Sequence, residues 1–328
     1  MATQAVACCF TGGKDCCLAA HLISALSDGY DSPKASALLL KDPSLRSRLE
    51  AFTGYQVVLL VTFGPAGGTS SFKAHPMHLI KLMAKAMGIP HTIIEIGSSE
   101  GGSYLQSYRT AIQDLHDQHG IQALLTGDIL DVCNDFMGKA CQDIMPLLRP
   151  LWEIPRKQLL DLLWENNFKA IISCVNIKSL GEIPEQGDSA EGIQQPAALL
   201  ADESLHEVHI DPVALATKGK GNHHNSNQNE VVPLSCLLLG KELTQKLHCD
   251  VLLGSACKAL GIDECGEKGE FHTMVISAPS LFGEWSLDIM TSSGGSGNHV
   301  RFLQIVREGD FAFLKVPHDA KLVRSILD

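Results

Sequence analysis

Over residues 4–126 the chain alternates short apolar runs with stretches whose apolar residues recur every three or four positions, and this alternation constrains the fold more than any other feature. The runs at 4–10, 57–63, 91–96 and 122–126 read as strands. The stretches at 15–26, 76–87 and 103–119 read as helices. The first of these helices sets Cys16, Leu18, Ala19, Leu22, Ile23 and Leu26 at helical spacing. Residues 57–63 are apolar apart from Thr62, as a strand covered on both faces would be. Strands joined by helices predict an α/β fold built on a doubly wound, mostly parallel sheet.

Two interruptions set the domain plan. Residues 29–54 are polar, contain Pro33 and Pro43, and carry one short helical pattern at 45–52, so they read as an insert. After a helix at 156–166 and an apolar strand at 170–175, residues 182–232 become polar, rich in glycine, asparagine and histidine, and too weakly apolar to pack. Order resumes with a helix at 243–249 and an apolar run before Pro279. The tail has strand-like stretches at 285–290 and 300–306, separated by a glycine- and serine-rich run at 292–297. The expected plan is a nucleotide-binding domain over 1–130, an α+β substrate domain over 131–282 with the insert at 182–232, and an extension over 283–328.

Composition excludes several classes. A chain of 328 residues that is 45% hydrophobic can bury a core and divide into two domains. No apolar run approaches the ~20 residues of a membrane span, and the first residues carry no basic cluster, so neither a membrane nor a secretory leader is expected. A formal charge of -11 without any run of four basic residues argues against a duplex-binding surface, so nucleic acid is not expected as a partner. Eleven cysteines, two pairs of them sequence neighbours (Cys8 with Cys9, Cys16 with Cys17), make a poor disulfide framework and suit a cytoplasmic protein with reduced thiols.

Chemistry concentrates where the first strand meets the first helix. Ligands of a doubly wound sheet sit at the carboxyl ends of its strands, and Thr11-Gly12-Gly13-Lys14-Asp15-Cys16 occupies such an end. Gly12 and Gly13 would let the backbone approach a ligand, and the amides entering the helix would form an anion nest. Lys14 adds a positive charge and Thr11 a hydroxyl; phosphate is the natural occupant. The spacing is neither a Walker A loop nor a dinucleotide fingerprint. The plainer alternative is an ordinary turn with Asp15 as N-cap.

The loop resembles the PP-loop, Ser-Gly-Gly-x-Asp-Ser, of the N-type ATP pyrophosphatases, with Thr11 and Cys16 in place of its two serines. Further blocks are similar to the diphthine–ammonia ligase family: Ser71-Phe72-Lys73-Ala74-His75-Pro76, Thr126-Gly127-Asp128-Ile129, Pro150-Leu151-Trp152, and Cys265-Gly266-Glu267-Lys268-Gly269-Glu270-Phe271-His272-Thr273. Together they span most of 1–180 and 236–282. His272 stands where that family has glutamate, Lys268 where it has glycine, and 134–139 lacks the arginine expected after Asp128.

The resemblance implies a Rossmann-like domain of the HUP/PP-loop type and an ATP-dependent amide ligase. The diphthine carboxylate on elongation factor 2 would be adenylated, pyrophosphate released, and ammonia transferred to give diphthamide and AMP. ATP would contact Thr11, Gly12, Gly13, Lys14, Asp15, Cys16, His75, Gly127 and Asp128. Lys14, Asp15, Glu267 and Glu270 would serve catalysis. Asp15 is weighed as a Mg²⁺ ligand against an N-cap, Asp128 as a nucleotide or metal contact against a residue capping the next helix, and Glu267 with Glu270 as ammonium and proton acceptors against a solvated acidic turn. His75 has a structural alternative at its helix start, and His272 could replace a base or mark lost activity. The alternatives are a relative acting on another acceptor such as tRNA, or an adenine-nucleotide-binding regulator. Cys133 with Cys141, His206 with His209, His223 with His224, and the run 294–298 are not read as metal or hydrolase sites.

Overall fold

The computed structural model describes residues 3–29, 32–33, 35, 43–65, 74–97, 103–131, 133–183, 233–289, 304–316 and 318–324. Residues 71–73 of the second motif block, most of the first insert up to residue 42, the second insert beyond residue 183 with its histidines, and the run 292–298 lie outside them. The chain packs as two compact units. One comprises Met1–Ala170, Met274–Ile289 and His318–Asp328; the other comprises Ile171–Thr273 and Met290–Pro317.

The first unit holds a sheet of five parallel strands: β1 (Gln4–Cys9), β2 (Tyr55–Pro65), β3 (His91–Ile96), β4 (Ala123–Leu125) and β5 (Leu147–Leu148). They lie in the order β3-β2-β1-β4-β5. The chain adds β2 and β3 on one side of β1 and then returns to place β4 on the other. The strand order therefore reverses between β1 and β4, the place where an open α/β sheet forms a crevice at its carboxyl edge.

The helices of this unit are α1 (Lys14–Leu26), α2 (Pro43–Leu49), α3 (Met77–Met87), α4 (Tyr104–His119), α5 (Phe136–Cys141) and α6 (Arg156–Glu165). A core of Ala7, Val61, Ile112, Leu115, Leu124, Ala140 and Cys141 joins β1, β2 and β4 to α4 and α5. Helix α1 is buried almost all round, more fully than its spacing suggests. Its His21 has Nε2 3.0 Å from Asn166 Oδ1 and meets Phe168 edge-on at 5.6 Å between ring centroids.

Strand β2 departs from expectation. Gln56 and Val58 are exposed, and cover on both faces begins only at Leu60. The register with β1 shifts between Val6 and Ala7, so the two halves of β2 meet different surroundings. In the covered half the one polar residue, Thr62, donates its hydroxyl to Phe10 O at 2.6 Å and lies 2.8 Å from His91 Nε2.

A separate antiparallel sheet includes the expected strand at 170–175, observed as β6 (Lys169–Asn176). In the second unit β6 pairs with β10 (Phe311–Lys315), and β10 with β9 (Gln304–Glu308). In the first unit β8 (Trp285–Asp288) pairs with β11 (Lys321–Arg324), and the end of β7 (Phe271–Ser277) with β8. The tail thus supplies strands of this sheet to both units. Among the described residues no helix is long and apolar enough to cross a membrane.

Candidate functional site

Both loops at the strand-order reversal carry residues singled out from the sequence. After β1, the Phe10 amide bonds Val61 O at 2.8 Å and the chain turns at Gly12, whose φ of +77° lies in the left-handed region. A Cβ there would fall 2.5 Å from Met83 Sδ, so the missing side chain makes room for α3. This corrects the reading of Gly12 as an unobstructed ligand approach on that side. Its carbonyl accepts the Val275 amide at 2.9 Å, which fixes the turn from a third direction.

Gly13 is the N-cap of α1, with φ −72° and ψ 166° and no side-chain cap. The helix begins at Lys14, so Asp15 lies within the first turn; the alternative that made it the N-cap is wrong. A carboxylate there complements the helix dipole, and first-turn amides lack partners within the helix. Lys14 is buried, and its Nζ lies 2.8 Å from Asp15 Oδ2, the carboxylate being 26% exposed. Burying an ammonium is costly without such a pair.

Cys16 completes the loop, with Sγ 3.3 Å from Gly13 O and 3.8 Å from Thr11 Oγ1. Burial pushes its thiol up, but hydrogen bonding with Cys17 and with the backbone and hydroxyl of Thr11 outweighs this and brings the pKa to about 7. Burial raises its neighbours Cys8, Cys9 and Cys17 well above the ordinary thiol value. Cys16 keeps a polar contact with Thr11 where a second hydroxyl was expected.

The loop after β4 meets the first one backbone to backbone. A Cβ on Gly127 would sit 2.6 Å from both Asp15 C and Cys16 N, and 2.9 Å from Asp15 O. Only glycine allows this approach. Beside it, Thr126 donates its hydroxyl to Asp128 Oδ2 at 2.8 Å. Burial raises the Asp128 carboxyl; Thr126 and Arg149 pull it down, while Asp135 and Asp15 push it up. Asp128 does not cap the next helix, because α5 starts at Phe136 with Asp135 as N-cap.

Arg149 was not anticipated. It pairs with Asp135 at 2.9 Å and lies over the Trp152 ring at 4.2 Å. It supplies positive charge near Asp128, where an arginine was sought within 134–139. Its adjacency to Pro150-Leu151-Trp152 was the available signal.

The remaining candidates are placed separately. His75 is half-buried just before Pro76, the N-cap of α3 in the first unit. Glu267, Glu270 and His272 belong to the second unit. Glu270 is buried and accepts the Asp263 amide at 2.9 Å and the Lys268 amide at 3.0 Å, one on each oxygen. It is therefore not part of a solvated acidic turn; it holds the turn together. Glu267 is half-buried and His272 exposed.

The first-unit residues that could meet a phosphate are a helix start without a side-chain cap, the buried Lys14, and the carboxylates of Asp15 and Asp128. Among the described residues no group of three or more His, Cys, Asp or Glu could hold a metal. Mg²⁺ keeps several waters and needs only one or two carboxylates with phosphate oxygens, so the donor chemistry of Asp15, with Asp128 as the second candidate, would suit it. Compared with known proteins, the chain matches no family model and no curated protein.

Proposed function

We propose that the chain is an AMP-forming, ATP-dependent carboxylate–ammonia ligase of the diphthine–ammonia ligase type, on a nucleotide domain of the HUP/PP-loop kind. The observation that supports it most is the backbone-close approach of Gly127 to Asp15 and Cys16, in the first turn of α1 just after the Gly12–Gly13 turn, at the reversal of strand order.

A carboxylate does not react with ammonia at neutral pH because oxide is a poor leaving group. Attack of its oxygen on the α-phosphorus of ATP expels pyrophosphate and converts that oxygen into part of AMP. Ammonia then adds to the acyl carbon, AMP departs, and the nitrogen loses a proton. The protein's tasks are to hold the phosphates in line and to stabilise charge on the departing pyrophosphate.

Residues of the first loop suit these tasks. The amides of the first turn of α1 accept phosphate oxygens, and Lys14 exchanges Asp15 for pyrophosphate as charge accumulates. Mg²⁺ bound by Asp15 and Asp128 would neutralise phosphate charge. Glu267 is the proton acceptor of the amidation step, and Glu270 fixes the turn that carries it. Elongation factor 2 bearing diphthine is the acceptor, and ammonia the nitrogen source, in the cytoplasm.

The test is incubation of the purified protein with ATP, Mg²⁺, ammonium and diphthine-bearing elongation factor. AMP and an amidated acceptor should form together, and Asp15→Ala should abolish both. AMP formation dependent on tRNA would move the chain to another acceptor. ATP binding with no pyrophosphate release from any acceptor would make it a regulator, a reading favoured by the thiol of Cys16 where the resembled loop has a hydroxyl.

A further inference from the structure

Four aromatic rings gather at the same carboxyl edge of the parallel sheet. Phe63 comes from the end of β2, Tyr104 and Tyr108 from the first turns of α4, and Phe136 from the start of α5. Tyr108 is central, with ring centroids 4.8 Å from Phe63, 5.2 Å from Tyr104 and 5.0 Å from Phe136; Tyr104 and Phe136 are 5.9 Å apart. Packing of this kind normally belongs to a core. Here Tyr104 is 55% exposed, and Tyr108 and Phe136 are half-buried, so the cluster presents ring surface to solvent. An aromatic patch left open at the ligand-binding edge of a sheet calls for an occupant.

The chemistry around it selects the occupant. Arg109 donates to Lys139 O at 2.8 Å, and Lys139 donates to Asn134 O at 2.6 Å, so two cations flank the rings on α4 and α5. A guanidinium has five N–H groups and an ammonium three, more than these bonds use, which leaves donors for an anion. The rings touch one another and leave no slot for a planar base between them. Their outward faces suit a cation that cannot donate hydrogen bonds, because a quaternary ammonium is held by aromatic quadrupoles. Ring faces beside spare cationic donors match a zwitterion with a methylated ammonium at one end and a carboxylate at the other.

We propose that the Tyr104–Tyr108–Phe136 surface seats the quaternary ammonium of a betaine-type group on the acceptor, with Arg109 and Lys139 facing its carboxylate. The inference rests on the ligase reading, since diphthine is itself a betaine whose trimethylammonium is borne by the carbon next to the reacting carboxylate. It deepens that reading by assigning acceptor recognition to residues of the sheet edge. Phe63 lies near the end of β2, the strand beside β1, so the rings stand at the same sheet edge as the loop that would hold ATP.

A matched pair of probes tests it: trimethylglycine and its uncharged-head isostere 3,3-dimethylbutanoate, titrated into the full-length protein and followed by NMR of the tyrosine rings. Trimethylglycine should bind about 2- to 30-fold tighter, the span of cation–π energies expressed as affinity. Tyr104→Leu should erase the difference, and Tyr104→Phe, which keeps a ring face, should restore it. Because Tyr104 is largely exposed, neither change should unfold the chain, and near-ultraviolet circular dichroism checks this. Equal affinity for the two probes, no binding of either, or a preference that survives Tyr104→Leu overturns the proposal. Betaine selectivity in a protein that forms no AMP would keep the site and remove the ligase. AMP formation with an acceptor KM unmoved by Tyr104→Leu would do the reverse.

Discussion

Replacing Gly127 by alanine tests the junction on which the candidate site depends. The added Cβ would lie 2.6 Å from Asp15 C and Cys16 N. Both are backbone atoms, so no side chain can rotate away. Restoring ordinary contact requires the two loops to separate by about 1 Å, and insertions into tight packing cost about 1–3 kcal/mol. That displacement acts on the first turn of α1, whose amides would meet phosphate oxygens on the proposed reading; a misplacement of about 1 Å can cost roughly a hundredfold in rate. Gly127→Ala should therefore lose about 1–3 kcal/mol in urea unfolding and at least tenfold in ATP affinity by titration calorimetry. Gly120→Ala is the control. It places a side chain at φ +63° with nothing within 4 Å, so it carries backbone strain without moving either loop. A Gly127→Ala protein that binds ATP as the unaltered chain does would refute the backbone-to-backbone account of the site.

Three further outcomes follow from buried groups. Burial lowers the His21 pKa from 6.5 to about 4, with Asn166 opposing. The unfolded chain then binds the proton more tightly, and stability should fall as pH drops from 6.5 towards 4, by roughly 3 kcal/mol in total; urea midpoints across that window should flatten in His21→Asn. Cys16, with a pKa of about 7, should be alkylated by iodoacetamide along a curve rising through neutrality, and ATP should protect it; indifference to pH between 6 and 8 would remove the thiolate from the loop. Glu270→Gln replaces an acceptor oxygen by an NH₂ facing a backbone donor. It should cost about 1–3 kcal/mol and raise hydrogen exchange of the amides of Asp263 and Lys268, whereas unchanged exchange would mean that the carboxylate does not hold the turn.

What could be read from the sequence follows the length of each element. Strand β3 was found to the residue and α4 to within one, because a run rich in β-formers, and a serine N-cap and a glycine with sixteen residues between them, each leave a local signature. Strand β5 has two residues, too few for any period, and α5 has six. In the second sheet the strands at 170–175, 285–290 and 300–306 were legible in part, but not the pairing of β10 with β6 or of β11 with β8, because partners that far apart in sequence leave no local signature. At the site, the loop residues were visible as a motif. Gly127 was visible through the family-like block and read as an ATP contact, but its packing against the backbone of Asp15 and Cys16, more than a hundred positions earlier, was not. Arg149 was missed because a single arginine acquires meaning from Asp135 and Trp152 together.

The two departures from the family-like run at 265–273 also take on a physical meaning. Cys265, Gly266, Glu270, Phe271 and Thr273 are buried, whereas Lys268 and His272 are exposed. The backbone amide of Lys268 donates to Glu270, a contact that a residue of any type would make, and its ammonium reaches Gly261 O at 3.2 Å. His272 contributes its carbonyl, which accepts the Ser173 hydroxyl at 3.3 Å. The bonds that hold the turn at Glu270 come from backbone amides. The two side chains change what the turn presents outward, where a glycine and a carboxylate would have stood, and the chain gains an ammonium and an imidazole on that surface. On the proposed ligase reading, a turn kept in its interior and altered on its exterior would bear on what the turn presents to an acceptor, whereas Cys16 is the departure that bears on the ATP loop.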